Sequence, residues 1–94
     1  MINTDAKLTV HPDVLFAQLK NGNGVLLHLN TKSYYSLNPT GVTMWQRIAE
    51  GKTLAEVTRE ITDKFDVTPD RAETSVLNLA DQLVNTELMQ IATV

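Results

Sequence analysis

The chain has no cysteine. Disulfides, a thiol nucleophile and thiolate ligation of a metal are therefore excluded, and a reducing compartment, the cytoplasm, fits. It also lacks any apolar run near the roughly 18 residues that a membrane-crossing helix needs. The opening MINTDAKLTV has no basic stretch followed by an apolar one, as a secretory signal would. No membrane partner is expected. Aromatic residues are scarce at 5%, and Trp45 is the single tryptophan. Positive charge is scarce as well: 8 Lys and Arg stand against 11 Asp and Glu, a net charge of −3, with no basic block. That disfavours nucleic acid, whose phosphates demand clustered cations. There is no glycine-rich phosphate loop and no nucleophile with a spaced base. His11 and His28, the only histidines, lack ligand or triad spacing and are read as surface residues, while Asp63 and Asp66 fall at a helix end where isolated acids are common. No catalytic residue, cofactor or metal is expected, and the chain is not read as an enzyme.

What is present is an ordinary globular composition, 43% apolar and 20% charged over 94 residues. This supports one domain spanning 1–94, with a flexible N-terminal segment near residues 1–6. The first half follows period two and the second follows period 3.6, so strands should precede helices. Leu8 and Val10 open a marginal strand before His11-Pro12, and Val14 to Ala17 form a second apolar segment. Asn21-Gly22-Asn23-Gly24 tolerates positive φ and predicts a hairpin turn. Val25 to Leu29 is the next strand, with Val25, Leu27 and Leu29 on one face and Leu26 and His28 on the other. Asn30-Thr31-Lys32 makes the return to Ser33–Leu37, a strand whose Tyr35 and Leu37 are the core candidates.

Asn38-Pro39 is a helix entrance, the amide oxygen capping orphan N–H groups and proline fitting the first turn. Val42, Trp45, Ile48 and Ala49 define an apolar stripe, with Met44 on its flank, and Gly51 ends that helix. Thr53 and Glu56 have capping-box spacing, so a second helix starts at Leu54 and carries Val57, Ile61 and Phe65 down one side to about Lys64. Thr68 and Pro69 open a third helix running to about Glu87. It places Ala72, Val76, Leu79 and Leu83 along one edge of an apolar surface, with Leu77, Ala80, Val84 and Leu88 in the centre and on the other edge. Such an arc covers about half the circumference. Either both edges are buried, or one seals the core and the other borders a groove.

Taken together, the strand VLLHL, the turn NTK, the strand SYYSL, the entrance NPTG, Trp45, the start TLAEV and the late helix SVLNLADQLVNTELM resemble the PqqD-like family. These small domains are also called leader-peptide recognition elements of ribosomally made, post-translationally modified peptides. The resemblance runs from Val14 to Leu88 and looks nearest to the stand-alone recognition proteins of lasso-peptide biosynthesis. It implies an α+β, winged-helix-like fold: a three-stranded antiparallel sheet followed by three helices. It also implies a noncatalytic adaptor that binds the leader of a precursor peptide by strand addition and presents it to a leader peptidase and a cyclase.

Carried onto this chain, the resemblance implies an edge made of Ser33, Tyr34, Tyr35, Ser36 and Leu37. The cleft wall would come from Val76, Leu77, Ala80, Leu83 and Val84 of the last helix, and Tyr and Pro anchors are expected in the ligand. Tyr34 and Tyr35 offer a rigid rim, or simply pack the strand. Asp81 and Glu73 would attract a basic ligand residue, or are an ordinary solvated surface. A homodimer through the same edge stays open, since a free strand pairs with another copy as readily as with a ligand. The alternative function is a winged-helix nucleic-acid-binding regulator, which would require a basic recognition helix.

Overall fold

The period-two half folds into hairpins and the 3.6-period half into helices. The computed structural model describes residues 2–92, in the order β1 (Leu8–Val10), β2 (Val14–Gln18), β3 (Gly24–His28), β4 (Ser33–Leu37), α1 (Pro39–Ala49), α2 (Leu54–Lys64), α3 (Pro69–Asn85) and β5 (Met89–Ile91). Strands β2, β3 and β4 form an antiparallel meander in that order, and β1 pairs separately with β5. The α+β fold expected from the sequence, three antiparallel strands and then three helices, is the fold observed.

The meander buries one face. Gly24, Leu26 and His28 alternate inward on β3, whereas Val25 and Leu27 stay half-exposed. Across the register, Phe16, Leu26 and Tyr35 form one inward row, and Gln18, Gly24 and Leu37 the next. Gly24 allows a close approach here: a Cβ at that position would lie 2.7 Å from the Phe16 ring and 2.8 Å from a Val42 methyl. Glycine at the strand end thus lets α1 settle directly on the sheet.

Each helix starts where its cap residue dictates. The Asn38 side chain accepts from the Gly41 N–H at 2.7 Å, with Pro39 in the first turn of α1. Thr53 and Glu56 form the reciprocal capping box of α2, and the Thr53 N–H holds the Glu56 carboxyl below its ordinary value. Arg47 of α1 reaches Glu60 of α2 as well as Glu50, tying the two helices on their outer side. Val42, Trp45 and Ile48 are buried as the stripe required, together with Met44. Ala49 is exposed, as the last residue of the helix before the Glu50 cap.

Two expectations are corrected at the chain ends. The third helix stops at Asn85 rather than near Glu87, and Leu88 belongs to the corner that follows it. Glu87 adopts φ 62°, its N–H donates to the Val84 carbonyl, and the Leu88 N–H donates to the Leu83 carbonyl, which closes the helix as a Schellman motif. The chain then runs into β5, a strand the sequence did not announce. The pairing of β5 with β1 buries Leu8, Leu88 and Met89 and ties the two ends of the domain together. Just before it, the Thr4 and Ala6 carbonyls accept from the Ala55 and Leu54 N–H groups at the start of α2.

His28 is a further correction. It is 2% exposed rather than on the surface, its ring lies 4.8 Å from that of His11, and neither of its ring nitrogens has a hydrogen-bonding partner among the described residues. Its place in the strand decides this, since it shares the inward face with Leu26.

Candidate functional site

Which main-chain groups of the meander are free follows from its register. Between β2 and β3, the Leu29 N–H donates to the Asp13 carbonyl at 2.8 Å and the Leu19 N–H to the Asn23 carbonyl at 2.7 Å. Bonded pairs alternate along an antiparallel ladder, so Val25 and Leu27 direct their main-chain groups to β2, and Gly24, Leu26 and His28 direct theirs to β4. Their partners on β4 are Leu37, Tyr35 and Ser33. The N–H and C=O groups of Tyr34 and Ser36 therefore point out of the sheet, along an edge that no other described strand covers.

Beside that edge stands α3, separated from β4 by a cleft. One part, about 410 Å³, is apolar and has Leu26 and Leu88 at its floor, Tyr35 and Leu37 on the strand side, and Leu79 and Leu83 on the helix side. A second part, also about 410 Å³, continues past Leu37 toward the start of α1, where Asn38, Thr40 and Met44 face Ser75 and Gln82. No residue lining either part carries a formal charge. The arrangement can accept an extended, largely uncharged segment with an apolar side chain, and its polar lining is made of hydroxyl and amide groups.

Of the residues singled out from the sequence, Tyr35, Ser36, Leu37 and Leu83 meet at this cleft, and Ser33 and Tyr34 complete the strand beside it. Val76 and Ala80 are 0% exposed and sit within the core. Leu77 and Val84 are half-buried against the core and line neither part of the cleft. The wall is instead the line Ser75, Leu79, Gln82 and Thr86, with Leu83 behind it. A signal for that line existed: it is the uncharged flank of the apolar arc, at spacings of four, three and four residues. On the rest of α3, Asn78, Asp81 and Asn85 are exposed and present no basic face. Among the described residues, no three His, Cys, Asp or Glu gather to hold a metal, and no helix is long and apolar enough to cross a membrane.

The site is thus an open strand edge of a meander that faces the third helix across an apolar cleft. The chain belongs to the PqqD family: residues 23–89 match the family model of coenzyme PQQ synthesis protein D (PqqD). Among solved structures it is similar to TbiB1 in complex with the TbiA(β) leader peptide, with 27% identity and a TM-score of 0.82 over 92% of this chain and 99% of that one. It is likewise similar to lasso peptide synthetase B1 complexed with the leader peptide, with 27% identity and a TM-score of 0.82 over 90% of this chain and 99% of that one. No curated protein matches in sequence. The family expected from the sequence is the family found.

Proposed function

We propose that this protein is a noncatalytic adaptor that binds the leader of a ribosomally made precursor peptide, that of a lasso peptide, and presents it to a leader peptidase and a cyclase. The observation that carries this reading is the open edge of β4 lying beside an uncharged, largely apolar cleft, in a chain similar to two structures that hold leader peptides. An extended segment gains register from the main-chain groups of Tyr34 and Ser36, and specificity from side chains entering the cleft. Each main-chain bond contributes only about 0.5–1.5 kcal/mol net, because water competes for the same groups. Most of the affinity must therefore come from an apolar anchor seated against Leu26, Leu79 and Leu83. Holding the leader raises the concentration of the attached core peptide at the processing enzymes even when each contact is modest.

The test is a titration of a labelled leader peptide, taken from a precursor encoded beside this chain, at physiological salt under reducing conditions. Saturable binding with amide shifts at Ser33–Leu37 and at Leu79 is the expected result. No specific binding overturns the reading.

A further inference from the structure

The meander carries helices on one face only. On the other, Leu15, Leu27 and Tyr34 stand side by side in one cross-strand row, with Ala17, Val25 and Ser36 in the next. Leu15 is 54% exposed and Tyr34 73%. None of the described elements covers this row, whose two ends, Leu15 and Tyr34, are open to solvent while Leu27 between them is half-buried.

Three strands about 4.8 Å apart and five residues long, at about 3.4 Å per residue, present a face of roughly 10 by 17 Å. A stable dimer needs about 800 Å² from each partner, several times that face. One additional row of side chains from a neighbouring strand fits it. The row ends at Tyr34, one of the two residues whose main-chain groups lie free on the edge.

We infer that the outer face is a second subsite for the extended peptide. The inference rests on the strand-addition reading above and deepens it. A peptide paired with β4 sends alternate residues to opposite faces, whichever way it runs. Residues beside Tyr35 and Leu37 enter the cleft, and the residue beside Tyr34 turns outward. There it lies against the Tyr34 ring and extends the row Leu15, Leu27, Tyr34. An aromatic or β-branched residue is selected at that position, because such cross-strand neighbours contribute most. The protein therefore reads both sides of its ligand, with Tyr34 as a specificity residue outside the cleft.

Amide hydrogen exchange and a positional library of acetylated, amidated nonapeptides test this together. In the free protein, the Tyr35 and Leu37 amides should exchange slowly and those of Tyr34 and Ser36 rapidly. Bound library peptides should protect Tyr34 and Ser36, and should show apolar preferences at alternate positions for the cleft, with an aromatic or β-branched preference at an intervening one. Tyr34→Thr should lower affinity about two- to five-fold and erase the intervening preference alone, while Tyr34→Phe keeps it. Unaltered positional preferences in Tyr34→Thr overturn the outer subsite and leave the adaptor reading standing. So does concentration-dependent protection of Tyr34 and Ser36 without peptide, which makes a second copy the occupant. Failure of every library peptide to bind overturns both.

Discussion

The three-stranded sheet has two outer edges, and they are unequal. Along β4 the groups of Tyr34 and Ser36 are free, and along β2 those of Val14, Phe16 and Gln18 turn outward by the same alternation. On β2 the Val14 N–H is already engaged by the His11 carbonyl at 3.1 Å. Neither part of the cleft is lined by any residue of β2, where Phe16 lies instead against Trp45 with ring centroids 6.2 Å apart. An open edge is therefore not by itself a site. It offers main-chain bonds whose net value is small, and only the edge that borders an uncovered apolar wall can add the burial that makes them useful.

The largest effect is expected from spoiling the wall while leaving the edge intact. Leu79 lines both parts of the cleft and is only half-buried, so a charge there reaches water without a ligand and is trapped once a peptide covers it. Leu79→Glu should weaken leader binding by about 10- to 100-fold, roughly 1.4–2.7 kcal/mol, with the fold retained by circular dichroism. Leu83, 2% exposed, is the worse choice for the same experiment, since a charge there would unfold the core it helps to fill. Unchanged affinity in a folded Leu79→Glu protein would move the ligand away from this wall.

A second substitution pair sets one edge against the other. Proline is tolerated in an edge strand where the N–H it removes points outward. Ser36→Pro deletes a free donor on β4, and Gln18→Pro deletes its counterpart on β2. The first should cost about ten-fold in peptide affinity, and the second should leave affinity unaltered. Isothermal titration of both variants decides the matter, and equal losses would show that the peptide does not distinguish the edges.

The inner and outer faces of β3 show what was legible in the sequence and what was not. Alternation gave the two faces of Val25 to Leu29 correctly, but the face with more aliphatic residues, Val25, Leu27 and Leu29, is the open one. The side that packs, Leu26 with His28, is chosen by the helices, and no pattern within five residues encodes where those helices will lie. Caps were plain because they are local: Asn38, Thr53 and Thr68 each bond within three residues. The pairing of β1 with β5 was hidden for the opposite reason, since it joins short segments about eighty residues apart with no turn between them. On α3 the arc was legible, but which of its lines meets the sheet and which meets α2 depends on a rotation that periodicity leaves free. The core took Val76 and Ala80, and the cleft took Leu79 and Gln82.

His28 weakens the inner face on which it packs. A buried polar group without a partner costs about 1–3 kcal/mol, and replacement by an apolar side chain of similar size removes that cost. His28→Leu should therefore raise the free energy of unfolding in urea by about 1 kcal/mol, whereas Leu26→Ser on the same face should lower it by more. Loss of stability in His28→Leu would mean that contact with the His11 ring outweighs the unsatisfied nitrogens.

The smallest effect concerns what holds the wall in place. Where α3 ends, the chain turns a corner through Glu87 and places Leu88 in the lining of the cleft. A residue with a side chain at φ 62° carries a steric penalty that glycine escapes, and the two Schellman bonds would survive the exchange. Against this, glycine gains more freedom in the unfolded chain. The balance favours Glu87→Gly by about 0.5 kcal/mol, read as a small rise in the urea midpoint. Peptide affinity should not move, because the Leu83 to Leu88 bond already fixes the position of the floor. If affinity does change, the corner is adjustable, and the contrast between the two edges is then one of cleft width as well as of apolar lining.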